Sequence, residues 1–215
     1  MTTRKPKPDD IAKTITHDIN SGTIRPDTPL IQEDLAQRFG VSRIPIREAL
    51  KQLETENVVI VRPGEGTFVA IPDLAIVAEI FEIRLQLEPY VMRVSIPKLG
   101  PRDFDTAERL LADLDLPPEG AVMSELDRDF HAALYAGSER PLHLEYIAGL
   151  RRRLAPIYAN GGQSIIRSST SLREHEALLA AAKTGDEREA SSLLVRHLIR
   201  ARDALHDTLV DASSP

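Results

Sequence analysis

The stretch Gly40-Val-Ser-Arg-Ile-Pro-Ile-Arg-Glu-Ala-Leu50 decides the fold of the first part of the chain. Glycine suits the positive φ of a helix C-cap, and Ser42 is a residue type that N-caps the following helix. Pro45 is compatible with that helix if it lies in the first turn, where backbone N–H groups have no intrahelical partner. The stretch therefore predicts two helices joined by a tight turn.

Apolar periodicity on both sides completes a small domain. Isoleucines four residues apart predict a helix over about 10–21, and a second, short helix fits residues 32–39. After the third helix the period changes, and the β-rich runs 58–61 and 67–71 predict a hairpin with a glycine-rich tip. Three helices and a hairpin are the parts of a winged helix-turn-helix.

The third helix carries the residues that would read DNA. Its N-terminal end holds Ser42, Arg43, Ile44 and Arg47, and the two arginines lie one turn apart on one face. Arginine can bond the O6 and N7 atoms of guanine together, serine suits a phosphate or base, and isoleucine suits a thymine methyl group. The alternative for Arg43 and Arg47 is a pair of surface salt bridges to nearby glutamates.

The wing has its own candidate contacts. Gly64 and Gly66 at the hairpin tip permit close approach of the backbone to a phosphate or to the minor groove.

Composition limits the other classes of function. The chain has no cysteine, which excludes disulfide scaffolds and thiolate metal sites, and no apolar run approaches the length of a membrane span. The basic N-terminus is not followed by the apolar segment of a secretory signal. The net charge of −6 belongs to the part after residue 70 and argues against indiscriminate nucleic-acid coating. We expect a cytoplasmic protein with no membrane contact.

The remainder of the chain reads as helix. Proline and glycine divide it into six helical segments without strands, at about 73–96, 101–114, 118–136, 140–159, 166–183 and 186–211. The predicted fold is mostly α, a winged helix-turn-helix followed by an all-α six-helix bundle. The predicted parts are a disordered N-terminus (1–8), the DNA-binding domain (9–71), a linker (72–73) and an effector-binding and dimerisation domain (74–215).

Four residues of the bundle form a candidate metal site. Asp127 and His131 share a helix face at i, i+4, and His175 and His197 lie on the two following long helices among apolar residues. Three imidazoles and one carboxylate suit a divalent zinc ion, with nickel or manganese as alternatives. Each histidine alone is more often a surface residue or a satisfied core residue. Asp129 competes with Asp127 but faces elsewhere.

The first part of the sequence resembles the GntR-type bacterial regulators. The resemblance is carried by Gly40–Leu50, by the preceding run Leu30–Ala36, and by Gly66-Thr-Phe-Val69 at the end of the wing. Two positions depart from the family, because Asp27 and Asn57 stand where glycine is usual. Asparagine tolerates the left-handed backbone, so the second departure is mild.

The second part resembles the FCD branch of the same family, in its shorter VanR-type subgroup. Asp127-Arg-Asp-Phe-His131 is similar to the branch's D-x-x-F-H motif, and His175 and His197 also match. In metal-binding members an Asp and three His hold a divalent cation in the effector pocket, so the resemblance implies this role for the four residues. Arg140 stands where asparagine is common.

Arginines give two further predictions in this part. The resemblance implies that Arg84, in the pattern Glu82-Ile-Arg84 with Leu87-Glu88, faces a carboxylate effector. A surface pair between Arg84 and Glu88 at i, i+4 is the alternative. The run Arg151–Arg153 is interpreted as a solvated face without a role.

These observations favour a homodimeric transcription regulator. It would bind a double-stranded, pseudo-palindromic operator, as a repressor, and respond to a small carboxylate or sugar acid bound near the metal. One alternative is a regulator whose metal is structural or is itself the signal. A metal-dependent hydrolase is disfavoured, because His175-Glu176 is not followed by the second histidine of H-E-x-x-H and no general base is evident.

Overall fold

The computed structural model describes residues 5–71, 73–117, 122–158 and 162–212. The chain divides into two compact units, Met1–Ile71 and Pro72–Pro215. The helices and strands of the described residues are α1 (Pro8–Asn20), α2 (Gln32–Phe39), α3 (Arg43–Thr55), β1 (Val59–Arg62), β2 (Gly66–Val69), α4 (Leu74–Ser95), α5 (Pro101–Asp115), α6 (Met123–Tyr135), α7 (Pro141–Ile157), α8 (Gln163–Ile166), α9 (Ser169–Lys183) and α10 (Glu187–Ala212). The predicted disordered segment 1–8 lies partly outside the described residues, and Pro8 already belongs to α1. Pro72 of the predicted linker also lies outside them.

The first unit packs three helices against a two-stranded hairpin. The apolar stripes of α1 and α3 meet in a core in which each fully buried aliphatic side chain contributes about 1.5–3 kcal/mol. Strands β1 and β2 are antiparallel, with Val59 paired with Val69 and Arg62 with Gly66. A bridge between Pro29 and Phe68 adds the segment before α2 to the outer edge of the hairpin.

The turn between α2 and α3 follows the prediction in its backbone and differs in one side chain. Gly40 caps α2 with a φ of 63°, and Pro45 is the third residue of α3, inside the first turn. Ser42 occupies the N-cap position with extended backbone, but its side chain makes no capping hydrogen bond. Its hydroxyl group is exposed instead.

The two departures from the family glycines have a common backbone reason. Asp27 has a φ of 63° and Asn57 a φ of 56°, the left-handed region that glycine enters without steric cost. Asp27 also forms an ion pair with Arg62 at the end of β1, whose guanidinium lies over the ring of Phe68.

The second unit is a helical bundle, so the predicted fold class is confirmed. Of its described α-helices, six are long and α8 has four residues, and two short 3₁₀ helices follow α4 (Ile96–Lys98) and α6 (Ala136–Ser138). Helix α4 packs along α10, α5 packs along α6, and α9 packs along α10. Proline at the first position begins α5 and α7, where its missing N–H has no intrahelical acceptor. The core is mainly apolar, and its buried polar side chains include six that converge: Arg84, Glu88, His131, Arg151, His175 and His197.

A proline interrupts the hydrogen bonding of α4 in the middle of the bundle. Pro89 lies inside the helix and cannot donate to the carbonyl group of Leu85. Its side chain is buried, and its own carbonyl oxygen accepts a 3.4 Å bond from the hydroxyl group of Ser191 on α10.

Candidate functional site

Three helices bring the four predicted metal ligands together. Asp127 and His131 lie one turn apart on α6, His175 lies on α9 and His197 on α10. One potential ligand atom from each residue lies within 4.8 Å of all the others. The three imidazole rings are adjacent in pairs, with centroids 4.7 to 5.2 Å apart. Asp129 faces outward and pairs with Arg128.

The unpaired nitrogen atoms of the cluster fit a cation. The side chains of His131 and His175 are completely buried, and Nδ1 of His175 and Nε2 of His131 have no hydrogen-bond partner. Nε2 of His175 lies 3.2 Å from Asp127 Oδ1 without the geometry of a hydrogen bond. Buried polar atoms without partners are costly unless something fills the space between them. Ligand bonds of about 2.1 Å hold ligand atoms at most about 4.2 Å apart, so an ion needs only a small inward movement of these side chains.

The protonation states are those that a metal site requires. Burial raises the pKa of Asp127, but His175, His131 and Arg151 outweigh it and hold that pKa well below its ordinary value of 3.8. Burial lowers the pKa of His131 well below 6.5, and Arg151 adds to the effect. Burial also lowers the pKa of His197. An ionised carboxylate therefore faces the neutral imidazoles of His131 and His197, which can ligate without losing a proton.

A buried chain of charged groups extends from Asp127 to α4. Arg151 of α7 donates to Asp127 Oδ2 at 3.0 Å and to Glu88 Oε2 at 2.7 Å. Glu88 also accepts from Arg84 Nε at 2.6 Å and from the hydroxyl group of Tyr135 at 2.7 Å. Tyr135 in turn lies 3.5 Å from Nδ1 of His131. Every oxygen of Glu88 is thus occupied, and the chain links α4, α6 and α7.

The structure bears differently on the two arginine predictions. Arg84 does pair with Glu88 at i, i+4, but the pair is buried rather than on the surface, and the guanidinium lies over the ring of Phe81. The interpretation of Arg151 as part of a solvated face is wrong, because this residue is only 8% exposed and joins two carboxylates. Arg151 shares its helix face with Ile147 and Leu154, so apolar periodicity carried the signal.

The residues predicted to read DNA lie together at the start of α3. Ser42, Arg43, Ile44 and Arg47 are exposed, and Ile44, with 69% of its surface accessible, is among the most exposed large apolar side chains described. Arg43 forms an ion pair with Glu33 of α2, a different partner from the glutamates of its own helix. The other three side chains point to solvent.

The wing glycines adopt the conformations that the hairpin tip demands. Gly64 has a φ of 81° and Gly66 a φ of 121°, both disfavoured for other residues. A Cβ atom at either position would meet no other atom within 4 Å. The backbone at the tip is therefore open to an approaching surface.

Both units match known protein families. Residues 7–69 match the bacterial regulatory proteins of the gntR family, and residues 79–201 match the FCD domain. The chain belongs to the gntR family. This gntR-family protein is 31% identical to the HTH-type transcriptional regulator McbR of Escherichia coli K12, over 80% of each chain. It is 25% identical to the HTH-type transcriptional repressor RspR of the same organism, over 87% of this chain and 84% of the relative.

Solved structures agree with this assignment. The structure of E. coli McbR/YncC matches the gntR-family chain with a TM-score of 0.81 at 25% identity, over 94% of this chain and 98% of that one. A GntR regulator from Rhodococcus sp. RHA1, at 22% identity and a TM-score of 0.77, shares the fold. The resemblance seen in the sequence is confirmed. The relatives are named transcription regulators, so the chain is a transcriptional regulator and not an enzyme. None of its described helices is long and apolar enough to cross a membrane.

Proposed function

We propose that this gntR-family regulator acts in the cytoplasm as a homodimeric repressor. Its operator affinity is set by a small carboxylate or sugar acid bound beside a divalent metal in the FCD domain. The observation that carries the proposal is the convergence of Asp127, His131, His175 and His197. Nε2 of His131 and Nδ1 of His175 are buried there without hydrogen-bond partners.

The winged helix supplies the DNA contacts of this proposal. Arg47 and Arg43 project from the exposed N-terminal turn of α3 and are assigned to base edges in the major groove. Ser42 and Ile44 lie beside them for a phosphate and a thymine methyl group, and the tip around Gly64 and Gly66 approaches the backbone of the DNA. Arg43 must leave Glu33 to reach a base, which costs little for an exposed ion pair.

The metal supplies a fixed positive charge between three helices. Asp127 and His131 would hold it from α6, His175 from α9 and His197 from α10. Imidazole and carboxylate ligands suit zinc, with nickel or manganese as alternatives. Bound there, the ion cross-links the bundle and attracts a carboxylate.

The effector would enter beside Asp127. A small cavity is lined there by Arg84, Ser124, Asp127, Arg151, Leu154 and Tyr158. The hydroxyl group of Ser124 and Nε of Arg151 are buried without hydrogen-bond partners, so both remain available to an anion. Both arginines already pair with carboxylates, and the unused Nε group makes Arg151 the better supported anion ligand. The volume is about 10 Å³, roughly one water molecule.

The small size of this cavity couples effector binding to the conformation of the FCD domain. A carboxylate larger than water fits only a state in which the cavity is wider, so the effector binds that state more tightly. Such differential affinity is what a change in operator binding requires.

The DNA half of the proposal is tested by fluorescence anisotropy with duplex fragments from the region around the gene. Arg47→Ala should weaken specific binding about 10- to 100-fold, the value of about 1–3 kcal/mol for one arginine–guanine contact. Lys13→Ala on the exposed side of α1 is the matched control and should change little. Wild-type protein that ignores all such fragments at moderate salt contradicts operator binding.

The effector half is tested on purified protein by metal analysis, followed by a screen of small carboxylates and sugar acids for operator release. His175→Ala should lose both the metal and the release of the operator by the effector. Glu176 is the next residue and is exposed, so Glu176→Ala should keep both.

The small volume beside Asp127 favours one other candidate function. According to this second candidate, the metal is structural or is itself the signal, and no organic effector binds. Removing the metal would then change operator affinity or thermal stability while no compound of the screen acts. Release of the operator by a carboxylate that also raises the melting temperature excludes this candidate.

A further inference from the structure

Helix α7 carries an unusual outward-facing stripe. Leu142 and Tyr146 lie one turn apart with 66% and 67% of their surfaces exposed, and Gly149 and Arg153 continue the same face over the next two turns. Single exposed apolar residues are ordinary, but two large ones in register above a glycine form a continuous surface. We call Leu142, Glu145, Tyr146, Gly149 and Arg153 the α7 stripe.

No contact within the protomer explains why position 149 of this stripe is a glycine. Glycine in a helix interior lowers helix stability relative to alanine. A Cβ atom at Gly149 would meet only the end of the flexible Arg152 side chain, at 3.8 Å. Nothing in the protomer needs the missing side chain, whereas a second backbone that crosses the helix here would.

The charges of the stripe are self-complementary. Glu145 and Arg153 lie four residues before and four residues after Gly149, and neither forms an ion pair with another described residue of its chain. When two copies of α7 cross antiparallel at Gly149, each Glu145 lies opposite Arg153 of the other copy. A two-fold axis therefore creates two ion pairs at once, as an isologous interface requires.

We propose that the α7 stripe is the face through which two copies of this chain pair, antiparallel and centred on Gly149. The inference rests on the homodimer of the proposed function and adds the location of the dimer interface. The inner face of the same helix carries Arg151, so the dimer contact and the buried chain from Asp127 share one element.

The apolar contact is tested by sedimentation equilibrium of the full chain. Tyr146→Glu should weaken dimerisation about 30-fold or more, as expected for an aromatic residue at an interface centre. Leu116→Glu is the matched control, because Leu116 is 80% exposed on another helix end, and should leave the dimer unchanged. Circular dichroism melting and metal content should stay the same for both variants.

The charge pattern permits a test whose positive result a folding defect cannot produce. Glu145→Arg and Arg153→Glu each place like charges opposite one another and should each weaken the dimer roughly tenfold. The double variant should recover it, and so should an equimolar mixture of the two single variants, because a heterodimer restores both pairs. Residues 145 and 153 are about 12 Å apart along one helix, so no contact within a protomer explains recovery.

Three outcomes overturn the inference: a wild-type monomer at micromolar concentration, a dimer indifferent to Tyr146→Glu, or charge variants without mutual recovery. Operator and metal binding are measured on the same samples. If they persist while the dimer ignores these changes, the location of the interface is wrong and the regulator proposal stands. If both binding activities are absent from wild-type protein, the regulator proposal is the one that fails.

Discussion

Glu174 lies 2.7 Å from Nδ1 of His197 and fixes which nitrogen of that ring faces the other three residues of the cluster. Burial raises the pKa of Glu174, but hydrogen bonds from His197 and Arg200 lower it to about 2. The carboxylate is therefore ionised at neutral pH and accepts the proton of Nδ1, which leaves Nε2 free as a ligand. Such partners orient metal ligands from outside the coordination sphere.

Glu174→Gln should weaken metal affinity about 10- to 100-fold, because the ring loses a charged acceptor that holds its orientation. Competition with a chelating dye measures this directly. Glu176→Gln, two residues along α9 and exposed, is the control and should bind metal normally. Equal affinity of both variants would show that His197 is not held in this way or is not a ligand.

Arg151→Met should destabilise the fold by about 3–5 kcal/mol, because Glu88 and Asp127 would then lie buried without their shared cation. Urea denaturation of metal-free protein provides the value. The neighbour Arg152 is exposed, so Arg152→Met should stay within about 0.5 kcal/mol of wild type. Similar effects at both positions would contradict the buried chain.

Glu88 predicts a specific acid sensitivity. Burial opposes its ionisation, but Arg151 and Arg84 lower its pKa from 4.5 to about 2. Because the folded pKa is the lower one, the stabilisation is complete above pH 4.5 and is lost as the pH falls towards 2. The difference amounts to about 3 kcal/mol.

Glu88→Gln should therefore lose less stability than wild type between pH 4.5 and 2, although it starts from a lower value. Denaturation of metal-free protein at several pH values measures the slope. Glu79→Gln, exposed on the same helix, should keep the wild-type slope. The buried histidines add their own acid sensitivity below pH 6.5 to every variant, so the difference between variants isolates Glu88.

Asn57 tests the backbone of the winged helix. Its φ of 56° is left-handed, so Asn57→Ala should lower stability by about 1 kcal/mol, whereas Asn57→Gly should not lower it. Thermal melting of the two variants gives the comparison without a further control, since both remove the same amide group. A destabilised glycine variant would mean that the asparagine side chain, not the backbone, matters at this position.

The sequence predicted the elements well where local chemistry determines them. The Gly40 turn, the hairpin and the six long helices depend on residue periodicity and on glycine and proline, which act within a few positions. The four candidate ligands could also be predicted from the sequence, because Asp127 and His131 share a helical face and the family motif adds the other two.

The features that the sequence did not predict depend on how distant segments of the chain pack against one another. Arg151 was assigned to solvent from the composition of its run, although its spacing from Ile147 and Leu154 already placed it on the buried face. Glu174 gave no signal, since its role requires α9 and α10 to pack at a particular height. The edge pairing of Pro29 with Phe68 is likewise a contact between distant segments.

The proline inside α4 gives this helix a point of low bending stiffness. Pro89 follows Glu88 directly and leaves the carbonyl group of Leu85 without its helical donor, so resistance to bending is smallest at the level of the buried charges. The half of α4 before that joint carries Arg84 and Glu88 and continues through the chain into the winged helix. A pull on Asp127, passed through Arg151 to Glu88, therefore acts on α4 one residue from this weak point, where the helix yields most easily.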